Sequence, residues 1–187
     1  MKIVGVAGTN GSGKDTIGEY LAKHGWLFVS VSDFLRQEAK KRDLPIEREV
    51  LRTISAEWRR KYGVGVLVDK AAELFEASPG KYKGLVAVPM RNPGEAQHIK
   101  DLGGRLVWVD ADPKLRYKRI ISRLRSSEDQ KSYEQFLQEE KDEMEHSGDH
   151  HTLSMSGVKA KADIFIENNY NNLSDFEKAI QKALKLK

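Results

Sequence analysis

The chain has no cysteine. That excludes a disulfide scaffold and any cysteine-based zinc site, and it suits a reducing, cytoplasmic setting. No apolar run approaches membrane-spanning length, so no membrane partner is expected. Met1-Lys2-Ile3-Val4 leads directly into strand-like sequence, so no signal peptide is expected. Internal repeats and low-complexity tracts are also missing. Charge of one sign is scarce: lysine plus arginine number 32 against 28 for aspartate plus glutamate, a net of +4. A positive balance favours anionic partners, but this excess is small for a dedicated nucleic-acid binder. No basic strand face is interleaved with aromatics, and no recognition-helix module is visible. The runs Lys40-Lys41-Arg42 and Arg59-Arg60-Lys61 lie within helical periodicity and read as solvated helix faces.

What is present is a chain of 187 residues, most simply one domain over 1–187, large enough to bury a core without staples. Strand-like runs alternate with amphipathic stretches, which predicts an α/β fold with a largely parallel sheet. The expected strands are Lys2 to Ala7, Trp26 to Val31, Leu85 to Val88, Leu106 to Val109 and Asp163 to Ile166. A first helix is expected from Lys14 to about His24, with Ile17, Tyr20 and Leu21 on one face. Ser32 is a candidate N-cap for a second helix. A long helical insertion, about 34–78, separates the second and third strands. Pro113 opens a helix reaching Leu124, a polar stretch follows from Ser126 to Ser132, and helix resumes through Phe136 to about Met144. Residues 147–156 read as loop, and Asp175 to Leu184 as the last helix.

Directly after the first strand stands Gly8-Thr9-Asn10-Gly11-Ser12-Gly13-Lys14-Asp15-Thr16. This is a phosphate-binding loop in its expected place, between a strand and a helix. Its glycines let successive N–H groups turn inward toward phosphate oxygens. Lys14 would reach the β- and γ-phosphates, and the following helix offers its positive dipole end. The pattern departs at one position: Asp15 stands where a hydroxyl is usual, with Thr16 one place later.

Three further constellations follow. Asp33 and Arg36 fall one helical turn apart after the second strand, suited either to a phosphate clamp or to a surface ion pair. Arg91, in Met90-Arg91-Asn92-Pro93, stands just past the third strand, where open α/β sheets bind ligands; a plain turn is the alternative. Arg119 and Arg123 share a helix face, with Arg125 beyond, an arrangement that an intervening anion would stabilise and that solvation alone could also serve. His146, His150 and His151 cluster with Asp149, but adjacent histidines rarely share one ion. His24 and His98 read as surface positions. Trp108 reads as core, and packing is the simpler role for Trp58.

At these positions the chain resembles the nucleoside monophosphate kinases of the adenylate kinase-like P-loop group. The likeness runs through the phosphate loop, Asp33-Phe34-Leu35-Arg36, Arg91, the Arg119 and Arg123 pair, and Ala162-Asp163-Ile164-Phe165-Ile166-Glu167-Asn168. Gly13-Lys14-Asp15-Thr16 and Arg91-Asn92-Pro93-Gly94-Glu95 are most similar to the deoxynucleotide monophosphate kinase and dephospho-coenzyme A kinase branch. The resemblance implies a three-layer α/β/α fold on a five-stranded parallel sheet, a helical acceptor-binding insertion at about 34–78 and a short lid at about 125–132. It implies transfer of the γ-phosphoryl of ATP, with Mg²⁺, to a nucleoside or deoxynucleoside monophosphate, by a monomer or homodimer.

Gly8, Asn10, Gly11, Ser12, Gly13, Lys14, Asp15, Thr16 and Arg119 would then hold ATP. Asp33, Arg36 and Arg91 would bind the acceptor, and Lys14, Asp33, Arg119, Arg123 and Arg125 would act in catalysis. Such kinases often carry an acidic residue at the end of the third strand; here the stretch is Val86-Ala87-Val88-Pro89. Asp15, or its rival Thr16, would supply the missing metal ligand. Two alternatives stay open: transfer to a sugar hydroxyl, as in a dephospho-coenzyme A kinase, and nucleotide binding without catalysis.

Overall fold

The computed structural model describes residues 1–123, 131–145 and 148–185. Five strands, β1 (Ile3–Gly8), β2 (Leu27–Ser30), β3 (Leu85–Val88), β4 (Arg105–Asp110) and β5 (Ile164–Glu167), form one parallel sheet in the order β2-β3-β1-β4-β5. The central strands are apolar on both faces because helices cover both. Strand alternation then divides the core in two. Ile3, Ala7, Leu85, Ala87, Leu106 and Trp108 face one layer, and Val4, Val6, Val86, Val88, Val107 and Val109 face the other.

The second layer is closed by α1 (Lys14–Lys23) and α9 (Leu173–Leu184), through Ile17, Tyr20, Leu21, Phe176 and Ile180. The first is closed by α2 (Val31–Lys41), α3 (Arg48–Tyr62), α4 (Val66–Glu76), α5 (Pro93–Asp101) and α8 (Met155–Ala160). This is the three-layer α/β/α arrangement that the family resemblance implies, on the parallel sheet that the alternation of strand and helix predicts. α6 (Pro113–Arg123) and α7 (Tyr133–Glu145) follow β4, and α7 crosses the carboxyl ends of the strands toward α3.

Several local expectations are corrected. β2 stops at Ser30 and α2 begins at Val31, so Ser32 lies in the first turn and is no cap. α8 occupies part of the stretch read as loop, with the Ser154 side chain accepting from Gly157 N. α5 was not anticipated, although its start is signalled: Asn92 caps it, Pro93 follows at the first helical position, and Glu95 completes a reciprocal capping box. The lid expected at 125–132 lies almost wholly outside the described residues.

Arg59 corrects the reading of its run as a solvated face. It is 3% exposed and pairs with Glu95, itself 1% exposed, at 2.7 Å. The Arg59 guanidinium also donates to Ser55 Oγ at 3.2 Å and to His151 O at 2.9 Å. The second Glu95 oxygen accepts from the backbone N–H of Arg91 at 3.0 Å and of Asn92 at 3.2 Å. Asn92, fully buried, donates to His150 O and Thr152 O. One buried ion pair thus ties the helical insertion, the exit of β3 and the 149–152 loop together. Breaking such a pair leaves a charge buried without its counterion, which costs about 3–5 kcal/mol. Glu95→Ala should therefore lower stability by about that amount in urea unfolding, whereas Glu49→Ala, at an exposed ion pair, should shift it by less than about 1 kcal/mol.

Candidate active site

The loop between β1 and α1 is shaped by two glycines whose backbones no other residue would tolerate. Gly8 has φ +147°, and a Cβ there would come within 1.9 Å of the Val109 carbonyl oxygen on β4. Gly13, at φ +101°, precedes α1, and its Cβ would meet Asn168 Nδ2 at 2.6 Å. Having no side chain, Gly13 gives α1 no side-chain cap, and the positive dipole end of the helix stands directly after the loop.

Bonds from several directions fix the loop. Lys14 Nζ donates to Gly8 O at 2.9 Å and Thr9 O at 2.5 Å. Ser12 Oγ donates to Thr9 O, and Thr9 Oγ1 donates to Asp110 Oδ1 at 2.6 Å. Asn168, buried at the end of β5, donates to Ser12 O at 2.8 Å. Gly11 packs on the Arg116 backbone, 2.7 Å from a virtual Cβ to the Arg116 carbonyl oxygen.

A cavity of about 580 Å³ opens at the carboxyl ends of the strands. Of the residues singled out from sequence, it is lined by Asn10, Gly11, Gly13, Lys14, Asp15, Thr16, Asp33, Arg36 and Arg91. Gly8, Ser12 and Arg119 do not line this cavity. Arg36 and Arg91 reach one cavity but not each other. Arg36 pairs with Asp33 at 2.6 Å, and both side chains are exposed. Arg91 lies 3.4 Å from both Asn10 Oδ1 and Glu143 Oε2.

Arg119 sits on the opposite side of the loop. It donates to Asn168 O at 3.0 Å and Tyr170 O at 3.1 Å, with Gly11 O at 3.5 Å, and burial lowers its guanidinium pKa from the ordinary arginine value. Arg123 closes α6, but its side chain lies outside the described residues, as does Arg125 altogether. Of the histidine cluster, His146 also lies outside them. The His150 and His151 rings are tilted by 40° with centroids 3.7 Å apart. A hydrogen bond from Arg60, with another from the His151 N–H, takes the Asp149 carboxyl down to about 2.

Arg116 and Glu143 are among the residues at the site that sequence reasoning missed. Arg116, 2% exposed, donates to Ala111 O at 2.7 Å and Asn10 O at 3.4 Å. It also grips Glu140 of α7 with both terminal nitrogens, beneath the Phe136 ring. Its only sequence signal was a position four residues before Ile120 on the buried side of α6. Glu143 of α7 accepts from Arg52 at 2.6 Å and lies beside Arg91 and Asn10. Burial opposes its ionisation, yet Arg91, Arg52, Arg48 and Lys14 hold its carboxyl below the ordinary glutamate value. Nothing in the sequence around Glu143 distinguishes it from the other carboxylates of α7.

The donors beside Lys14 suit a magnesium ion. Asp15 and Thr16 bring hard oxygens to the cavity wall in the first turn of α1, and Mg²⁺ takes only one or two protein oxygens besides water and phosphate. Val88 brings none. Asp110, at the end of β4, has one oxygen engaged by both Thr9 Oγ1 and the Ala111 N–H. Among the described residues no group of three or more acidic, histidine or cysteine side chains forms a metal cage.

Comparison with known proteins agrees with this architecture. A UPF0200 protein of Pyrococcus abyssi is 28% identical over 187 residues, covering 98% of this chain and 95% of the relative. In three dimensions the chain superposes on shikimate kinase from Bacteroides thetaiotaomicron with a TM-score of 0.61 at 13% identity, covering 98% of each chain. Dephospho-CoA kinase from Campylobacter jejuni superposes with a TM-score of 0.56 at 17% identity, over 99% of this chain and 96% of that one. These likenesses establish a P-loop kinase fold. The profile of the AAA domain family matches residues 4–146, most of the length, and the chain belongs to that family.

Proposed function

We propose that the protein is an ATP-dependent phosphotransferase that moves the γ-phosphoryl of ATP to a nucleoside or deoxynucleoside monophosphate. The observation that carries this reading is the composition of the cavity. The phosphate loop with Lys14 lines it together with Arg36 and Arg91. Phosphoryl transfer needs little covalent help. It needs two anions held in line and charge neutralised as it spreads over the group in transit.

In this reading Gly8 to Thr16 hold the donor triphosphate, and Lys14 leaves its loop carbonyls for the β- and γ-phosphates. Arg36 and Arg91 take the acceptor phosphate. Arg119, with Arg123 and Arg125 after it in the chain, contacts the donor nucleotide and the phosphoryl group. Asp15 and Thr16 would hold Mg²⁺, which when bound neutralises donor phosphate charge. A phosphate acceptor needs no strong base, and Asp33 would then orient water or acceptor. A second reading, transfer to a hydroxyl, is favoured by the Asp33 carboxylate on the same cavity wall, where it could take the hydroxyl proton. The fold likeness to shikimate kinase and dephospho-CoA kinase accords with either.

A coupled assay with ATP, Mg²⁺, a panel of ribo- and deoxynucleoside monophosphates and dephospho-coenzyme A separates these readings. Absence of product with every acceptor, despite ATP binding, would leave a nucleotide-binding protein. Lys14→Ala should lower turnover by about 10²–10³-fold or more with the fold intact by circular dichroism. Arg36→Ala and Arg91→Ala should each raise the acceptor KM about ten- to a hundredfold, the worth of one charge-assisted hydrogen bond, with KM for ATP little changed. Loss of ATP affinity instead would mean that the two sites are exchanged. Asp15→Ser should raise the Mg²⁺ concentration for half-maximal rate at least about tenfold; unchanged magnesium dependence and turnover would leave Thr16 as the ligand.

A further inference from the structure

Glu143 stands on the wall shared by two cavities. One is the 580 Å³ space at the phosphate loop; the other, about 1020 Å³, lies between α3 and α7. Arg48, Arg52 and Glu143 line both. The carboxylate is therefore set between the loop and the larger space, in the midst of cations contributed by three separate segments: Arg48 and Arg52 of α3, Arg91 past β3, and Lys14 of α1.

The bonding there is uneven. Arg52 meets Glu143 at 2.6 Å and Glu49 at 2.6 Å. Arg91 has longer contacts, 3.4 Å to Glu143 and 3.4 Å to Asn10, although charge-assisted bonds of this kind are normally about 2.7–2.9 Å. Glu143 thus divides its two oxygens between Arg52 and Arg91, and the contact it leaves to Arg91 is long; an anion with more acceptor atoms would serve both guanidiniums. Nor is Glu143 required to seat α7. The Glu140 grip on Arg116 and the buried Phe136 already do that, one helical turn and two turns before it.

We propose that Arg52 and Arg91 form an anion subsite for the acceptor, and that Glu143 occupies it as a surrogate until a phosphate or carboxylate of the acceptor takes its place. This rests on the reading of the cavity as an acceptor site and adds to it Arg52, a residue of the insertion. The incoming anion supplies the short bonds that Arg91 lacks. Glu143, released toward the larger cavity, opens a passage between the two spaces along which the rest of the acceptor lies. No bond is made or broken in this exchange; one anion replaces another. The subsite then selects acceptors by charge, because only an anion compensates the guanidiniums that Glu143 gives up.

Sulfate, which stays a dianion across the neutral range, is the probe. It is titrated calorimetrically into the full chain at constant ionic strength, with circular dichroism on each variant. Glu143→Gln should bind sulfate about ten- to a hundredfold more tightly than the wild type. That gain should vanish in Glu143→Gln with Arg52→Gln, and persist in Glu143→Gln with Lys14→Ala, which disables the phosphate loop. Glu143→Ala serves as a second variant with the same expectation. An unchanged or weakened affinity in both folded Glu143 variants overturns the proposal, and so does a gain that survives loss of Arg52. A gain lost with Lys14 assigns the anion to the phosphate loop and also overturns it. If the gain behaves as expected while the wild type neither binds nor turns over ATP, the anion subsite stands and the phosphotransfer reading falls.

Discussion

Everything at the mouth of the cavity depends on where Arg59 and Glu95 put the chain. The pair is sealed from water, so its Coulombic attraction is strong and its desolvation cost is high. It is tolerable only because the remaining polar atoms are also satisfied. They are: Arg59 reaches Ser55 and the 149–152 loop, and Glu95 takes two backbone N–H groups. One of those belongs to Arg91. The side chain proposed to hold the acceptor therefore emerges from a main chain held by Glu95, whose own carboxylate is fixed by Arg59 of α3. The insertion and the sheet are registered to each other at the point where the proposed chemistry needs them to be.

The fold was legible because strand and helix periods differ and the chain alternates them cleanly. β3 was read to the residue, and the Ile17, Tyr20 and Leu21 face of α1 is buried as its spacing required. The strand order could not be read, since it depends on which edges the crossovers choose. α5 was missed although Asn92, Pro93 and Glu95 spell a helix start. α8, with six residues, is too short for a periodic signal.

Of the candidate site, the sequence yielded the residues of the phosphate loop and two of the arginines that share its cavity, Arg36 and Arg91, because main-chain geometry and charge there follow a local pattern. It did not yield Arg59, Arg116 or Glu143. Arg59 sits in a run of three basic residues that looks like any solvated face, and it is buried because one partner 36 positions away is a buried carboxylate. Arg116 and Glu143 work through contacts made by α7, whose closeness to the loop no local pattern encodes. Charge that acts at long sequence separation is what a single chain hides best.

The phosphate loop is held by the ends of β4 and β5 as well as by its own lysine. Asp110 fixes Thr9, Asn168 fixes Ser12, and Gly13 fits only where Asn168 leaves room. Its shape is thus set when the sheet assembles, and the entropy lost in ordering those amides is charged to folding instead of to ligand capture. A chain lacking Asn168 or Asp110 could retain its sheet and still present amides that no longer converge, so residues remote from any substrate govern how finished the cradle is before a substrate arrives.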